Sequence, residues 1–322
     1  MVEVSVCIPV YGVEKYIEKC ARSLFEQTMK EGIEFIFVND CTPDKSIEIL
    51  EQVLSEYPQR KAQVKIIHHE KNGGPVAARN TAIVHAAGKY MICCDADDWI
   101  APDLYETMYA KAVGTDADVV CCSMIIPPDW KCKRIQKIVP DAADTPAEYI
   151  KKNVAGHLNH LVTKLYRREI VSGCLANVPG HLRMCEDLLC NVLMLEKCRT
   201  IAFVSDVCYH YIQNPDSGSH NWQYRHFENL KEIISILESK QNPMFLPVLL
   251  YLKTYILLNV LLSLSKLPGL EELFCEICRR LSLPDKLKII LSGKYTFRGR
   301  CALAVGFISQ PLIFRLMKLI RV

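Results

Sequence analysis

The first third of the chain alternates short apolar runs with segments of helical periodicity. The apolar runs, which predict strands, cover residues 3–10, 34–38, 64–67, 90–94 and 117–122. Between them, apolar residues recur at helical spacing over residues 13–28, 47–54, 75–88 and 103–112, with Gly88 as the expected stop signal of the third helix. Strands that alternate with helices predict an α/β fold, in which a mostly parallel sheet is flanked by helices.

The pattern changes in the later part of the chain. Short strands are predicted over residues 160–166, 201–204 and 207–211, and helices over 223–240, 244–266 and 269–282. Residues 244–265 are apolar enough to consider a membrane span, but Pro247, Lys253 and Asn259 interrupt them. A buried or interfacial helix is therefore favoured, within a helical C-terminal region.

Polar residues follow each of the first four predicted strands. The sets are Pro9 with Tyr11, Asn39 with Asp40, the group Asn72, Gly73, Gly74 and Arg79, and the run Asp95 to Asp98. Any one set could be ordinary turn chemistry. Ligands of parallel sheets bind beyond the carboxyl ends of the strands, so four such sets predict a binding site at this edge.

Three carboxylates at Asp95, Asp97 and Asp98 repel one another unless a positive group lies among them. Side chains alternate along an extended segment, so Asp95 and Asp97 are expected to share one side. Hard oxygen ligands suit Mg²⁺ or Mn²⁺. The alternative is a solvated acidic turn at the end of a strand.

The glycine pair at 73 and 74 opens a predicted helix. Glycines allow the backbone to approach a ligand closely, and a helix N-terminus favours an anion such as a diphosphate. Arg79 lies one turn inside this helix, where its guanidinium could reach the same region. The spacing matches neither a dinucleotide-binding fingerprint nor a phosphate-binding loop, which argues against those two classes.

Charge and cysteine usage suggest a location in the cell. Many of the 16 cysteines lie in apolar runs and the start of the chain lacks a basic region of the signal-peptide type, so free thiols in a reducing cytoplasm are expected. The net charge is +3, and residues 286–322 carry eight Lys/Arg and no Asp/Glu. This basic, apolar tail favours a membrane surface over nucleic acid, and a packed helix with a solvated basic face is the alternative.

Several segments together resemble the inverting family 2 glycosyltransferases of the GT-A fold. They are "VSVCIPVYGVEKYIEKCARSLFEQT", "FIFVNDCTPDKS", "NGGPVAARNTAIVHAAGKYMICCDADDW" and "CEDLLC", which occur in the family's order over residues 3 to about 220. The resemblance implies a catalytic domain over residues 1–222, with a nucleotide-binding half (about 1–123) and an acceptor half (about 124–222). Residues 223–322 would then form a helical accessory region with a basic amphipathic tail.

The resemblance also implies roles for individual residues. The donor nucleotide sugar would contact Pro9, Tyr11, Asp40, Asn72, Gly74, Arg79, Asp95 and Asp98. Asp40 would accept from the uracil imide, and Asp98 would face the sugar or hold its loop. Asp97 would be the principal metal ligand, with Asp95 sharing this role and His210 a further candidate that is as readily explained as a structural histidine.

On the acceptor side, the resemblance implies Asp187 as the catalytic base and Glu186 as a supporting group. Without the resemblance, the two acidic residues at the start of a helix are explained by their favourable interaction with the helix dipole. The segment "NPDSGSH" at residues 214–220 is expected to be a loop that closes over the donor.

The expected function is metal-dependent transfer of a sugar from a nucleotide-diphosphate sugar, usually a UDP-sugar, to a hydroxyl of a saccharide, polysaccharide or lipid-linked acceptor. The cofactor is expected to be Mn²⁺ or Mg²⁺, no nucleic-acid partner is expected, and oligomerisation is left open. The alternatives are a non-catalytic nucleotide- or glycan-binding scaffold and a nucleotidyltransferase. The expected location is the cytoplasm, peripheral to the inner face of the membrane.

Overall fold

A computed structural model of the chain describes residues 1–127, 135–212, 223–263, 269–291, 297–310 and 312–314. The chain divides into two compact units, Met1–Gly218 and Ser219–Val322. The first unit contains the sheet, whereas the described part of the second is helical.

The first unit is built on one mixed sheet in the order β3-β2-β1-β4-β8-β6-β9-β5, with β7 paired to β6. Strands β1, β2, β3 and β4 are mutually parallel, as is the pair β6 and β9, and the pairs β4–β8, β6–β8, β6–β7 and β5–β9 are antiparallel. The strands are β1 Val4–Val10, β2 Ile33–Asn39, β3 Val64–His68, β4 Tyr90–Cys93, β5 Trp99–Ile100, β6 Val119–Ile126, β7 Gln136–Ile138, β8 Lys164–Arg167 and β9 Ile201–His210.

Helices of the first unit pack apolar residues against the sheet, and α7 is buried on all sides from Leu188 to Leu195. In helix α1, the buried residues follow the i, i+3, i+4, i+7 spacing of a single helix face. The helices are α1 Ile17–Phe25, α2 Ser46–Ser55, α3 Pro75–His85, α4 Leu104–Thr115, α5 Pro146–Asn153, α6 Arg168–Cys174 and α7 Glu186–Leu195. The predicted alternation of strands and helices around a mostly parallel sheet is therefore confirmed.

Three predicted strands differ from the observed ones. The segment predicted as a strand over 160–166 starts with a 3-10 turn at Leu161–Thr163, and only then forms β8. The two short strands predicted over 201–211 are one strand, β9, whose pairing with β6 shifts register between Cys122 and Ser123. A bulge of this kind breaks the apolar alternation, which explains the false gap.

Gly88 does not end α3. The helix ends at His85, and its cap residue Ala86 has an extended backbone. A Cβ atom at Gly88 would lie 2.6 Å from both the backbone nitrogen and Oγ of Ser5. The glycine therefore allows a close approach to β1, where its own N–H donates to Ser5 Oγ at 2.8 Å.

The second unit contains the helices α8 Tyr224–Ser239, α9 Leu246–Ser263, α10 Leu270–Arg280, α11 Leu283–Leu291 and α12 Phe297–Ile308. Within the described ranges, the stretch Pro243–Leu261 is long and apolar enough to cross a membrane by length and composition, with a mean hydropathy of 1.8 and 44% of it buried. Val248, Leu252 and Ile256 of α9 are fully buried. Lys253 forms an ion pair of 2.7 Å with Glu238 of α8, so the two helices pack together.

Candidate active site

The loops that follow the parallel strands are tied to one another at their carboxyl ends. Gly12, after β1, donates its N–H to Thr42, after β2. Asp40 accepts from the glycines before α3, and the side chain of Arg79 reaches the segment after β4. The four polar sets predicted from the sequence therefore meet at one edge of the sheet.

Asp40 caps the N-terminus of α3. Its Oδ1 accepts from Gly73 N at 2.8 Å and its Oδ2 from Gly74 N at 2.7 Å. Oδ1 also contacts His69 Nδ1 at 2.8 Å, and the residue is only 2% exposed. These bonds hold Asp40 against the two glycine amides directly before α3, and its predicted contact with a uracil imide stays a prediction.

Gly74 is required for the shape of this turn. Its φ of +84° lies in a region that other residues rarely adopt. A Cβ atom there would lie 2.3 Å from the guanidinium carbon of Arg183, which donates to Gly73 O at 3.2 Å. Gly74 therefore makes room for the exposed Arg183, a residue that was not selected from the sequence.

Arg79 joins two carboxylates from different elements. Its Nη1 donates to Asp187 Oδ1 at 2.7 Å, at the start of α7, and its Nη2 donates to Asp95 Oδ1 at 3.2 Å, directly after β4. The arginine side chain is 5% exposed, and its Nε has no hydrogen-bond partner. This guanidinium was expected beside a diphosphate. The structure directs it onto Asp95, predicted to hold donor or metal, and onto Asp187, predicted to be the catalytic base.

Burial and mutual repulsion change the protonation of this cluster. Burial raises the pKa of Asp95 to about 6, against the opposing effect of Arg79, with Asp187 and Asp97 adding to the rise. Burial, followed by Asp187, raises the pKa of Glu186 to about 7. Burial lowers the pKa of Arg79, but Asp187 and Asp95 outweigh it, so the guanidinium stays charged. Perturbed groups of this kind concentrate at functional sites.

Asp98 holds the acidic loop in place. It is 1% exposed, its Oδ2 accepts from Tyr209 Oη at 2.6 Å, and its Oδ1 accepts from Ile212 N at 2.6 Å. Tyr209 Oη in turn accepts from Asp95 N at 3.1 Å. Of the two roles expected for Asp98, the geometry matches loop support, because both carboxylate oxygens are bonded inside the protein.

His210 stacks on Trp99, with ring centroids 3.6 Å apart and planes 10° apart, where β9 pairs with β5. Burial lowers the pKa of His210. Among the described residues, no three His, Cys, Asp or Glu side chains are grouped so that they could hold a metal. In this geometry the His210 ring packs on Trp99, and its role as a further metal ligand beside Asp95 and Asp97 stays a prediction.

Three further residues predicted to contact the donor lie at the same edge of the sheet. Tyr11 is 51% exposed just after β1, Pro9 is half-buried opposite Val38, and Asn72 is exposed before the glycine pair. Their roles, and those of Asp97, Asp187 and Glu186, stay predictions. The segment at 214–220, expected to close over the donor, lies outside the described residues.

Lys164 is a buried residue that the sequence analysis missed. Its Nζ donates to the carbonyls of His157 at 2.8 Å and His160 at 2.6 Å, and the residue is 1% exposed. Burial lowers its pKa to about 8. These bonds fold residues 157–163 back on themselves before β8, and a lysine inside the apolar run "LVTKLY" was the available signal.

The sequence can be assigned to a family independently of this geometry. Residues 5–173 match the profile described as Glycosyl transferase family 2, which covers more than half of the 322 residues. The chain belongs to glycosyl transferase family 2. The resemblance noted from the motifs is therefore confirmed, and the acidic loop and Arg79 both lie inside the matched region.

The chain is similar to several curated glycosyltransferases. The chain is 34% identical over 231 residues to the putative glycosyltransferase EpsH of Bacillus subtilis (strain 168), a match that covers 70% of this chain and 65% of EpsH. It is 26% identical over 242 residues to the poly(ribitol-phosphate) beta-N-acetylglucosaminyltransferase TarS of Staphylococcus aureus, covering 74% of this chain and 40% of TarS. The chain thus spans less than two thirds of the length of these relatives.

Solved structures show the same fold. Residues 1–349 of S. aureus TarS superpose with a TM-score of 0.68 at 19% identity, covering 98% of this chain and 90% of that one. The same fragment is solved with UDP-GlcNAc, with a TM-score of 0.63. The mannosyltransferase PcManGT of Pyrobaculum calidifontis, solved with GDP-Man and Mn²⁺, has a TM-score of 0.57 at 17% identity and covers 95% of this chain and 87% of that one. The GT-A fold expected from the sequence is thereby confirmed.

Proposed function

We propose that this chain transfers a sugar from a UDP-sugar to a hydroxyl group of a saccharide or polymer acceptor, with inversion at the anomeric carbon. The observation that carries the proposal is the position of Arg79 between Asp95 and Asp187. The Arg79 guanidinium contacts both carboxylates. Asp95, predicted to hold the donor, and Asp187, predicted to activate the acceptor, are therefore bridged by a single side chain.

Inversion needs a base on the face of the sugar opposite the leaving diphosphate. In the proposed step, the acceptor oxygen forms a bond to the anomeric carbon, and the bond from that carbon to the diphosphate breaks with its electron pair on the nucleoside diphosphate. Asp187 takes the proton of the acceptor hydroxyl. Glu186 is next to Asp187 in the chain, and its pKa is raised to about 7. Below that pH the Glu186 carboxyl is mostly protonated, so it adds no second negative charge beside the base.

The chain's residues fit a metal that is shared with the substrate. Mg²⁺ is commonly bound by one or two carboxylates together with substrate phosphates, and Asp95 and Asp97 supply two carboxylates on one turn. When substrate phosphates supply the other ligands, the metal does not require three protein side chains. A bound ion would neutralise charge on the departing diphosphate. Arg183 supplies a protein cation beside Gly73 and Gly74.

The donor and acceptor classes are supported by the relatives. TarS is solved with UDP-GlcNAc and is named for transfer to poly(ribitol phosphate). We therefore favour a UDP-hexose or UDP-N-acetylhexosamine donor and a polymer or lipid-linked acceptor. The expected dependence on Mn²⁺ or Mg²⁺ belongs to this proposal as well.

The test is release of UDP from a panel of UDP- and GDP-sugars by the purified chain, with Mn²⁺, with Mg²⁺ and with a chelator. Asp97→Ala should lose metal-dependent donor binding, whereas Asp187→Asn should bind donor and fail to turn over. Asp103→Asn is the matched control, because Asp103 is an exposed aspartate near the same loop whose side chain caps no helix.

Three results would contradict the proposal. Pyrophosphate release in place of UDP release would indicate nucleotidyl transfer. Donor binding without turnover by any acceptor or by water would indicate a binding scaffold. Turnover by Asp187→Asn at the wild-type rate would remove the base assignment.

A further inference from the structure

Helix α11 presents an apolar stripe that is exposed in the part of the chain that the structure describes. Leu283, Leu287 and Leu291 are 70%, 50% and 76% exposed, although each is large and apolar. They are four residues apart, and successive helix residues are about 100° apart, so the three side chains lie within about 80° of arc. Three exposed leucines in one row differ from the single exposed apolar residues that are normal on a protein surface.

The other side of the same helix is packed. Ile289, on the face opposite the stripe, is 1% exposed, and Lys286 lies over the Phe307 ring of α12 at 5.8 Å. Helix α11 is therefore anchored within the second unit, and the leucine stripe is its outward face. Two further exposed apolar residues lie in and just after α12, Ile308 at 88% and Leu312 at 49%.

Basic residues stand on both sides of the stripe. On the helix, Lys286 lies on one flank of the leucines and Lys288 on the other, and the Lys288 side chain is 66% exposed. Asp285 is directed to Ser282, with Oδ2 accepting from Ser282 Oγ at 2.7 Å, and pairs with Lys288 at 3.5 Å. From residue 286 to the end, the sequence holds eight basic and no acidic residues.

We propose that the leucine stripe Leu283, Leu287 and Leu291 docks on the surface of an anionic phospholipid bilayer. A helix that buries apolar side chains at the headgroup boundary with lysines on its flanks gains from both apolar burial and attraction to acidic lipids. A second copy of the chain is a poorer occupant, because stripe-to-stripe pairing would bring two sets of lysines together. The docking places the catalytic unit beside lipid-linked or membrane-bound saccharides.

The experiment measures partition of the full chain onto vesicles by sedimentation, using phosphatidylcholine alone and phosphatidylcholine with phosphatidylglycerol. Binding is expected on the anionic vesicles and should weaken with added salt. Leu287→Ser with Leu291→Ser should lower the partition coefficient at least about tenfold, as expected for two leucines withdrawn from an apolar environment. Lys286→Glu with Lys288→Glu should cause a similar loss on anionic vesicles only.

The matched control is Val84→Ser with Val113→Ser, which removes two exposed apolar side chains, 80% and 52% exposed, from helices of the first unit. This control should bind vesicles like the wild type, and both the control and the leucine variant should unfold at the wild-type temperature because their replaced side chains are exposed. Equal binding by the leucine variant, no binding of the wild type to either vesicle, or a wild-type dimer that the leucine variant converts to a monomer would each overturn the proposal. None of these results depends on transferase activity.

Discussion

Replacing Arg79 by methionine should destabilise the first unit strongly, because it leaves two carboxylates facing each other in a largely buried site. Methionine keeps much of the side-chain volume but removes the charge that now bonds Asp187 at 2.7 Å and Asp95 at 3.2 Å.

The magnitude follows from the exposure of the partners. Removing one member of a fully buried pair costs about 3–5 kcal/mol. The side chains of Asp187 and Asp95 are 22% and 33% exposed, so water screens part of the uncompensated charge. We expect a loss of about 2–3 kcal/mol, which for a unit of this size lowers Tm by roughly 4–12 °C.

The assay is thermal and urea unfolding in the presence of a chelator. Arg22→Met is the control, since Arg22 also bonds two carboxylates, Glu18 and Glu56, but at the surface. It should leave Tm unchanged within error. A double-mutant cycle with Asp187→Asn should show coupling to Arg79 of about 1 kcal/mol or more, because both single changes break the same bond.

Unfolding of Arg79→Met at the wild-type temperature, or strict additivity with Asp187→Asn, would refute the bridge. Loss of stability in Arg22→Met equal to that in Arg79→Met would instead show that burial does not decide the effect.

Four other changes give separate readouts. Asp187→Asn should lower kcat by about 10²–10⁴ with donor affinity kept, as measured by UDP release and calorimetry. Arg183→Gln should raise the donor Kd about tenfold with kcat little changed, since it removes an exposed cation beside the glycine pair. Tyr209→Phe should cost about 1–3 kcal/mol in urea unfolding, because it removes the hydroxyl that bonds Asp98. Glu186→Gln should flatten the dependence of the unfolding free energy on pH between pH 4.5 and 7. Folding raises the pKa of Glu186 from 4.5 to about 7, so protonation of this carboxyl stabilises the folded state. That contribution is fully present below pH 4.5 and is lost as pH rises through 7. An unchanged profile would contradict the raised pKa.

The order of strands in the sheet shows where local patterns stop being informative. Short apolar runs and helical spacing predicted strands β1 to β4 and their helices, because these patterns depend on residues a few positions apart. The sequence did not predict that β8 lies antiparallel between β4 and β6. That arrangement depends on pairing between segments far apart in the chain, and the buried Lys164 that turns the chain into β8 gives no periodic signal.

The sequence by itself determined that the four polar sets would lie at one edge of a parallel sheet, because the carboxyl ends of parallel strands coincide whatever the side chains do. The tertiary structure alone decided what each side chain bonds. Asp40 lies against the amides of Gly73 and Gly74, and Arg79 points to Asp187, which is 108 positions away in the chain. The strength of an electrostatic interaction depends on the distance between the two groups and on their burial. Neither quantity can be read from the spacing of residues along the chain.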